Sequence, residues 1–186
     1  MFKTLINAFK IEDLRKKLIY TFLMLIVIRI GSQLPVPGVN RDYFAAWFAA
    51  QNNGAFNFFD AFTGGSFSSM SLFALGVNPY ITSSIIVQLL TIAIPALEEM
   101  QKDGEDGKEK LQKITRYLTI VLALIEAVAM TIGFGNKGLL QEANFVSGLG
   151  VVAALVAGSC FVMWIGERIT DKGIGNGISV VLLINI

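Results

Sequence analysis

The residues able to do chemistry in this chain are few, and their placement matters more than their reactivity. The 186 residues include no His, which removes the usual general base and the commonest metal ligand. Cys160 is the single cysteine, sits in an apolar run and has no partner for an internal disulfide. No nucleophile lies beside a base, so an enzyme is disfavoured, and neither a cofactor nor a metal site is expected. What remains is polarity in apolar surroundings. Thr82, Ser83, Ser84 and Gln88 interrupt the uncharged stretch 76–95, and Arg29 and Glu126 lie inside other apolar runs. Such groups cost free energy in lipid unless they face protein or water. A spanning helix with a polar stripe, preceded by a segment too short to span, suggests the lining of a path through a membrane.

The elements that must carry these residues are membrane helices. Hydrophobic residues make up 54% of the chain and charged residues 16%, against about 25% charged in a soluble domain. Net charge is +1, so no global field points to nucleic acid. About 20 residues of helix cross a bilayer core. The apolar runs predict an all-α, polytopic bundle with spans at about 18–34, 76–95, 117–134, 145–165 and 174–186, the last incomplete where the chain stops. Residues 1–17 carry Phe2, Leu5, Ile6 and Phe9 on one face of a basic helix, suited to the cytoplasmic membrane surface. Residues 40–51 read as a short extramembrane helix. Residues 55–73 are Phe-rich but too short and polar to cross, and Gly64-Gly65 weakens helix there. Pro79 suits a first helical turn. Residues 97–116 read as a hydrophilic loop with Gly104 and Gly107 as flexible points.

Twelve basic residues fall on one side of this arrangement: Lys3, Lys10, Arg15, Lys16, Lys17, Lys102, Lys108, Lys110, Lys113, Arg116, Arg168 and Lys172. Only Arg41 and Lys137 fall on the other. The bias places the N-terminus and the 97–116 loop in the cytoplasm. Gly150, Ala154 and Gly158 recur every four residues and predict a close-packing face on the fourth span. The run Gly173-Ile174-Gly175-Asn176-Gly177 follows no strand, so it reads as a tight turn opening the fifth helix rather than a phosphate cradle. Arg29 and Glu126 come out at similar depth. Either they pair, directly or through a polar bridge, or Arg29 snorkels outward and Glu126 faces a water-filled cavity.

Several strings taken together resemble one family. They are Arg29-Ile30-Gly31-Ser32 with Pro35-Val36-Pro37-Gly38, Phe73-Ala74-Leu75-Gly76 with Pro79-Tyr80-Ile81, Ile85-Ile86-Val87-Gln88-Leu89-Leu90, Thr115-Arg116-Tyr117, and Gly166-Glu167-Arg168-Ile169-Thr170 leading into Gly173-Ile174-Gly175-Asn176-Gly177-Ile178-Ser179. The chain resembles SecY, the channel subunit of the bacterial Sec protein translocase, along its whole length. The resemblance implies the N-terminal half of a ten-helix, inverted-repeat channel in the cytoplasmic membrane. It implies passage of unfolded preproteins outward and lateral release of apolar segments into the lipid bilayer. The implied constriction ring receives Val77, Ile81, Ile178 and Leu182, where Val77 and Leu182 stand for the Ile the family often carries. The implied plug covers about 55–71, with Phe58, Phe59, Phe62, Gly64, Gly65 and Phe67. Thr82, Ser83, Ile85, Ile86 and Gln88 fall on the implied lateral gate, where signal peptides would compete for the seam. Implied partners are the SecE and SecG subunits, and the SecA motor or the ribosome on the cytoplasmic side.

Physics is compatible with such a ring. The i, i+4 spacing within each pair puts both side chains on one helix face, and apolar side chains at a narrow waist resist wetting. The competing reading is half of an inverted-repeat secondary transporter for a small solute, which also uses a broken helix near the midplane. It requires coordinating groups at the break, where 76–81 offers mainly apolar side chains and Asn78. An apolar collar at that point favours a polypeptide pore.

Overall fold

The computed structural model describes residues 11–50, 54–135, 137–138 and 144–185, with backbone only at 55 and 56. Residues 1–10, which hold most of the expected amphipathic N-terminal helix, lie outside the described residues. Eight helices follow among the described residues: α1 Glu12–Gly31, α2 Arg41–Ala50, α3 Gly54–Thr63, α4 Asn78–Ala93, α5 Pro95–Lys102, α6 Glu105–Gly135, α7 Phe145–Lys172 and α8 Gly177–Asn185. By length and composition α6 and α7 can each cross a membrane, and α4 with α5 forms a third candidate bent by 104°.

Four boundaries differ from the sequence expectation. The first span begins at Glu12, because the basic turn is continuous with the apolar helix and Lys16 pairs with Glu12 at 2.9 Å. The second span does not run straight to Pro95. Ile94 is extended (φ −114°, ψ 112°), as residues before proline prefer, and Pro95 opens α5. The 97–116 segment is a helical hairpin rather than a loop. Its mixed charges are i, i+4 pairs, Glu98–Lys102 at 2.6 Å and Glu109–Lys113 at 2.9 Å, which support the two helices. Gly104 (φ +76°) makes the turn between them, whereas Gly107 is buried against the Met100 carbonyl and is no flexible point. The fifth helix starts at Gly177, after the glycine-rich turn.

Between α3 and α4 the chain runs through 64–77 as a series of turns, and most of it is buried. Irregular backbone survives at membrane depth only where protein satisfies it. Val36 N–H donates to the Met70 carbonyl at 3.1 Å, and Leu72 N–H donates to the Leu34 carbonyl at 2.8 Å. Ser159 on α7 donates its hydroxyl to the Gly76 carbonyl at 3.2 Å. Two apolar clusters enclose the segment. One gathers Val36, Phe44, Phe67, Met70, Leu75 and Leu155; the other gathers Ile28, Phe73, Val77, Ile165, Ile169 and Val181.

Small residues let the helices close on this core. Thr115, Thr119, Ala123, Ala127 and Thr131 form the buried stripe of α6. Thr115, Thr119 and Thr131 each return their hydroxyl to a carbonyl one turn back, at 2.9, 2.7 and 2.8 Å. On α7 the buried row is Val151, Leu155, Gly158, Val162, Ile165 and Ile169. The expected small-residue face is therefore only partly used: Gly158 lies against the Leu72 carbonyl, whereas a Cβ at Gly150 would meet nothing within 4 Å. In the full-length protein, Gly158→Val should cost about 1–3 kcal/mol through forced separation of α7 from Leu72. Gly150→Val should leave the thermal midpoint in detergent unchanged, and thermal unfolding of both variants checks the contrast.

Candidate functional site

The break at Gly76 sets the site. Gly76 adopts φ +56°, a conformation other residues rarely take, and the Thr63 methyl would be 3.3 Å from a Cβ there. The end of α3 thus abuts the start of α4. Val77 caps α4 without a side-chain hydrogen bond, and Pro79 falls in the first turn. Val77 is only 2% exposed and joins the second apolar cluster, with Ile81 and Leu182 packed against it. Three of the four expected ring residues therefore border one apolar cluster, which is reached from the start of α4 and from α8. The fourth, Ile178, is half-buried and reaches the backbone of Gly166 on α7. Ile81 and Ile178 together line a cleft of about 330 Å³ between α4 and α8. Apart from Ile85, its other walls carry polar groups, including Ser84, Gln88, Gln112, Glu167 and Asn176.

The expected plug residues divide into two groups. Phe58 is 66% exposed and stacks edge-on to the half-buried Phe62 at 4.7 Å between centroids. Phe67 is buried at the centre of an aromatic group: Phe59 at 5.1 Å, Phe48 at 5.8 Å, Phe44 at 5.9 Å and Phe134 at 6.4 Å. Gly64 (φ +64°) and Gly65 (φ +78°) turn the chain between α3 and Phe67, so that Phe59 of α3 packs on Phe67. Asp60 accepts the Ser68 N–H at 2.8 Å and Thr63 Oγ1 accepts the Phe67 N–H at 3.2 Å, closing the turn.

Of the expected gate residues, Thr82, Ile85 and Gln88 are exposed and Ile86 is half-buried. Gln88 donates to Ser84 Oγ at 3.3 Å. Ser83 lies elsewhere. It is fully buried, returns its hydroxyl to the Pro79 carbonyl at 2.7 Å, and shares the inward row Pro79, Ser83, Val87, Thr91. One residue of helix is about 100° of rotation, which turns Ser83 away from Thr82.

Arg29 and Glu126 do not pair. Arg29 donates to the backbone carbonyls of Gly64, at 3.5 Å, and Ile184. Glu126 is half-buried and forms no ion pair among the described residues. The ion pair that does link spans is Arg116 with Glu167, Nε to Oε1 at 2.6 Å, and Gln112 donates to the same oxygen at 3.3 Å. Glu167 is 7% exposed. Its hydrogen bond raises the Arg116 pKa above the ordinary value, so Arg116 is a firm cation. Sequence reasoning quoted both residues without joining them. The available signal was that Arg116 lies just before one apolar run and Glu167 just after the next, on consecutive helices of opposite direction.

The SecY family profile matches residues 71–186. The protein translocase subunit SecY of Halalkalibacterium halodurans is 48% identical over 189 residues, covering 100% of this chain and 43% of that protein. The chain therefore spans less than half the length of this relative. Among solved structures, Sec61 in a canine ribosome–channel complex aligns with TM-score 0.65 at 24% identity, over 90% of this chain and 35% of that one. A structure concerned with the plug domain of SecY aligns with TM-score 0.62 at 21% identity, over 89% of this chain and 34% of that one. These structural likenesses establish the fold. An apolar helix bundle built around buried, non-helical backbone at a broken span is the architecture of a multi-pass membrane protein. The chain belongs to the SecY family.

Phe67→Ala in the full-length protein should cost about 3–5 kcal/mol, as for other buried aromatic truncations. Phe58→Ala should stay within about 0.5 kcal/mol of the parent. Thermal unfolding of both variants in detergent measures the difference.

Proposed function

We propose that this chain supplies the N-terminal half of the pore subunit of a Sec protein-conducting channel, passing unfolded preproteins across the cytoplasmic membrane and apolar segments sideways into lipid. The single observation that carries this reading is the apolar convergence of Val77, Ile81 and Leu182, from α4 and α8, beside a polar cleft. Apolar side chains at a waist resist wetting by ions yet yield to a passing chain. Ile178 completes the collar in this reading, and the other half of the lumen belongs to the part of the family's length that this chain does not span. Residues 55–71 act as the plug, with α3 as its displaceable part and Phe67 as its anchor. Thr82, Ile85, Ile86 and Gln88 form the exposed gate face; Ser83 supports it from behind.

In this reading the N-terminus and the α5–α6 hairpin face the cytoplasm, following the basic-residue bias. The hairpin meets the SecA motor or the ribosome there, and SecE and SecG complete the complex. The relatives' description as protein translocase subunits supports this assignment. A small-solute site at the break finds less support, since Asn78 is the single polar side chain between Gly76 and Tyr80.

Replacing Ile81 and Ile178 together by Gly in the assembled, full-length channel should raise resting ion conductance in planar bilayers roughly tenfold. That requires only about 1.4 kcal/mol off the permeation barrier. Unchanged conductance, with the variant inserted and assembled, would contradict the collar assignment.

A further inference from the structure

We propose that the Arg116–Glu167 pair, buried at its Glu167 end, is a positioning device for the collar: it sets the register of α8 through α7 and so holds Ile178 at the waist. This inference rests on the channel reading above.

Three linked contacts carry it. First, Glu167 joins α7 to α6, because one carboxylate oxygen accepts both Arg116 Nε at 2.6 Å and Gln112 Nε2 at 3.3 Å. Second, the residues flanking Glu167 hold the start of α8. Thr170 Oγ1 accepts the Gly177 N–H at 2.9 Å, and the Ile178 side chain rests on Gly166, where a Cβ would overlap it. Gly177 approaches the Gly166 carbonyl so closely that a Cβ there would collide with it. Third, the turn leaves α8 little freedom of its own. Asn176 Oδ1 caps the Ile178 and Ser179 N–H groups at 3.1 and 3.3 Å, and Thr21 Oγ1 on α1 accepts the Ile174 N–H at 3.2 Å. A shift of α7 at Glu167 is therefore delivered to Ile178 within one helical turn on each side. Glu167 lies on the wall of the same cleft as Ile81 and Ile178, so the pair sits where a passing chain could disturb it. Arg116 and Glu167 do not themselves build the collar; they act through Gly166, Thr170 and Gly177.

Removing one partner of a buried pair leaves the other charge uncompensated. The test uses the assembled, full-length channel with Glu167→Gln, which keeps shape and an acceptor but loses the charge, and with the exchanged pair Arg116→Glu/Glu167→Arg. Two readouts are taken: resting ion conductance in planar bilayers, and the mobility of a spin label at Ile178→Cys against one at Ile120→Cys on the exposed face of α6. Glu167→Gln should raise conductance about fivefold or more, the low end of couplings between separated sites. It should also loosen the label at 178 while leaving the label at 120 unchanged. The exchanged pair should restore both readouts toward the parent. Equal loosening at 178 and 120, or no change at 178, or no restoration by the exchange overturns the positioning role. Loosening at 178 with unchanged conductance instead keeps the positioning of α8 and contradicts the collar itself.

Discussion

Lipid supplies no hydrogen bonds, and this chain nevertheless breaks its helical backbone in the interior of the bundle. Everything around 64–77 answers that constraint. The groups released by the break find partners in Leu34, in neighbouring turns of the same segment and in Ser159 of α7. Holding those partners close demands small residues where helices approach: Gly31 under the Phe73 ring, Gly158 under the Leu72 carbonyl and the Thr/Ala row of α6. The break is therefore a built feature with its own packing, and α4 starts from a fixed point.

The same economy governs the approach of α8. The Gly-rich turn after α7 folds α8 back so tightly that Gly166 and Gly177 face each other without room for side chains. Thr170, Asn176 and Thr21 satisfy the turn's N–H groups. Two helices that are not neighbours in sequence thus bring apolar residues together beside Ile28, Ile165 and Ile169. The cleft next to them and the exposed Thr82–Ile85–Gln88 face join at Ile85 and Gln88, which line both.

Much of this was legible in the sequence. Apolar runs located α6 and α7, the two helices long and apolar enough to cross a membrane, and Pro79 the first turn of α4. What escaped was rotational phase and pairing. A polar stripe does not reveal that Ser83 turns inward while Thr82 and Gln88 stay outside, because each simply hydrogen-bonds its own preceding turn or neighbour. The charges of 97–116 read as loop since composition hides the i, i+4 pairs that make helices of them. Arg29 and Glu126 were expected at similar depth, yet they form no ion pair with each other. Arg29 found backbone carbonyls, which carry no sequence signal. The resemblance placed Phe67 in the plug with Phe58 and Phe62, and composition alone did not reveal that Phe67 is buried among Phe44, Phe48 and Phe134 while Phe58 is exposed.

The central claim is that α4 and α8 present their apolar residues to one narrow path. Photo-crosslinking from single positions of the assembled, full-length channel to a preprotein stalled during passage tests it most directly. The account predicts adducts from probes at 81 and 178 and none from probes at 121 and 125, on the exposed face of α6. Adducts from 121 or 125 with silence at 81 and 178 would contradict it.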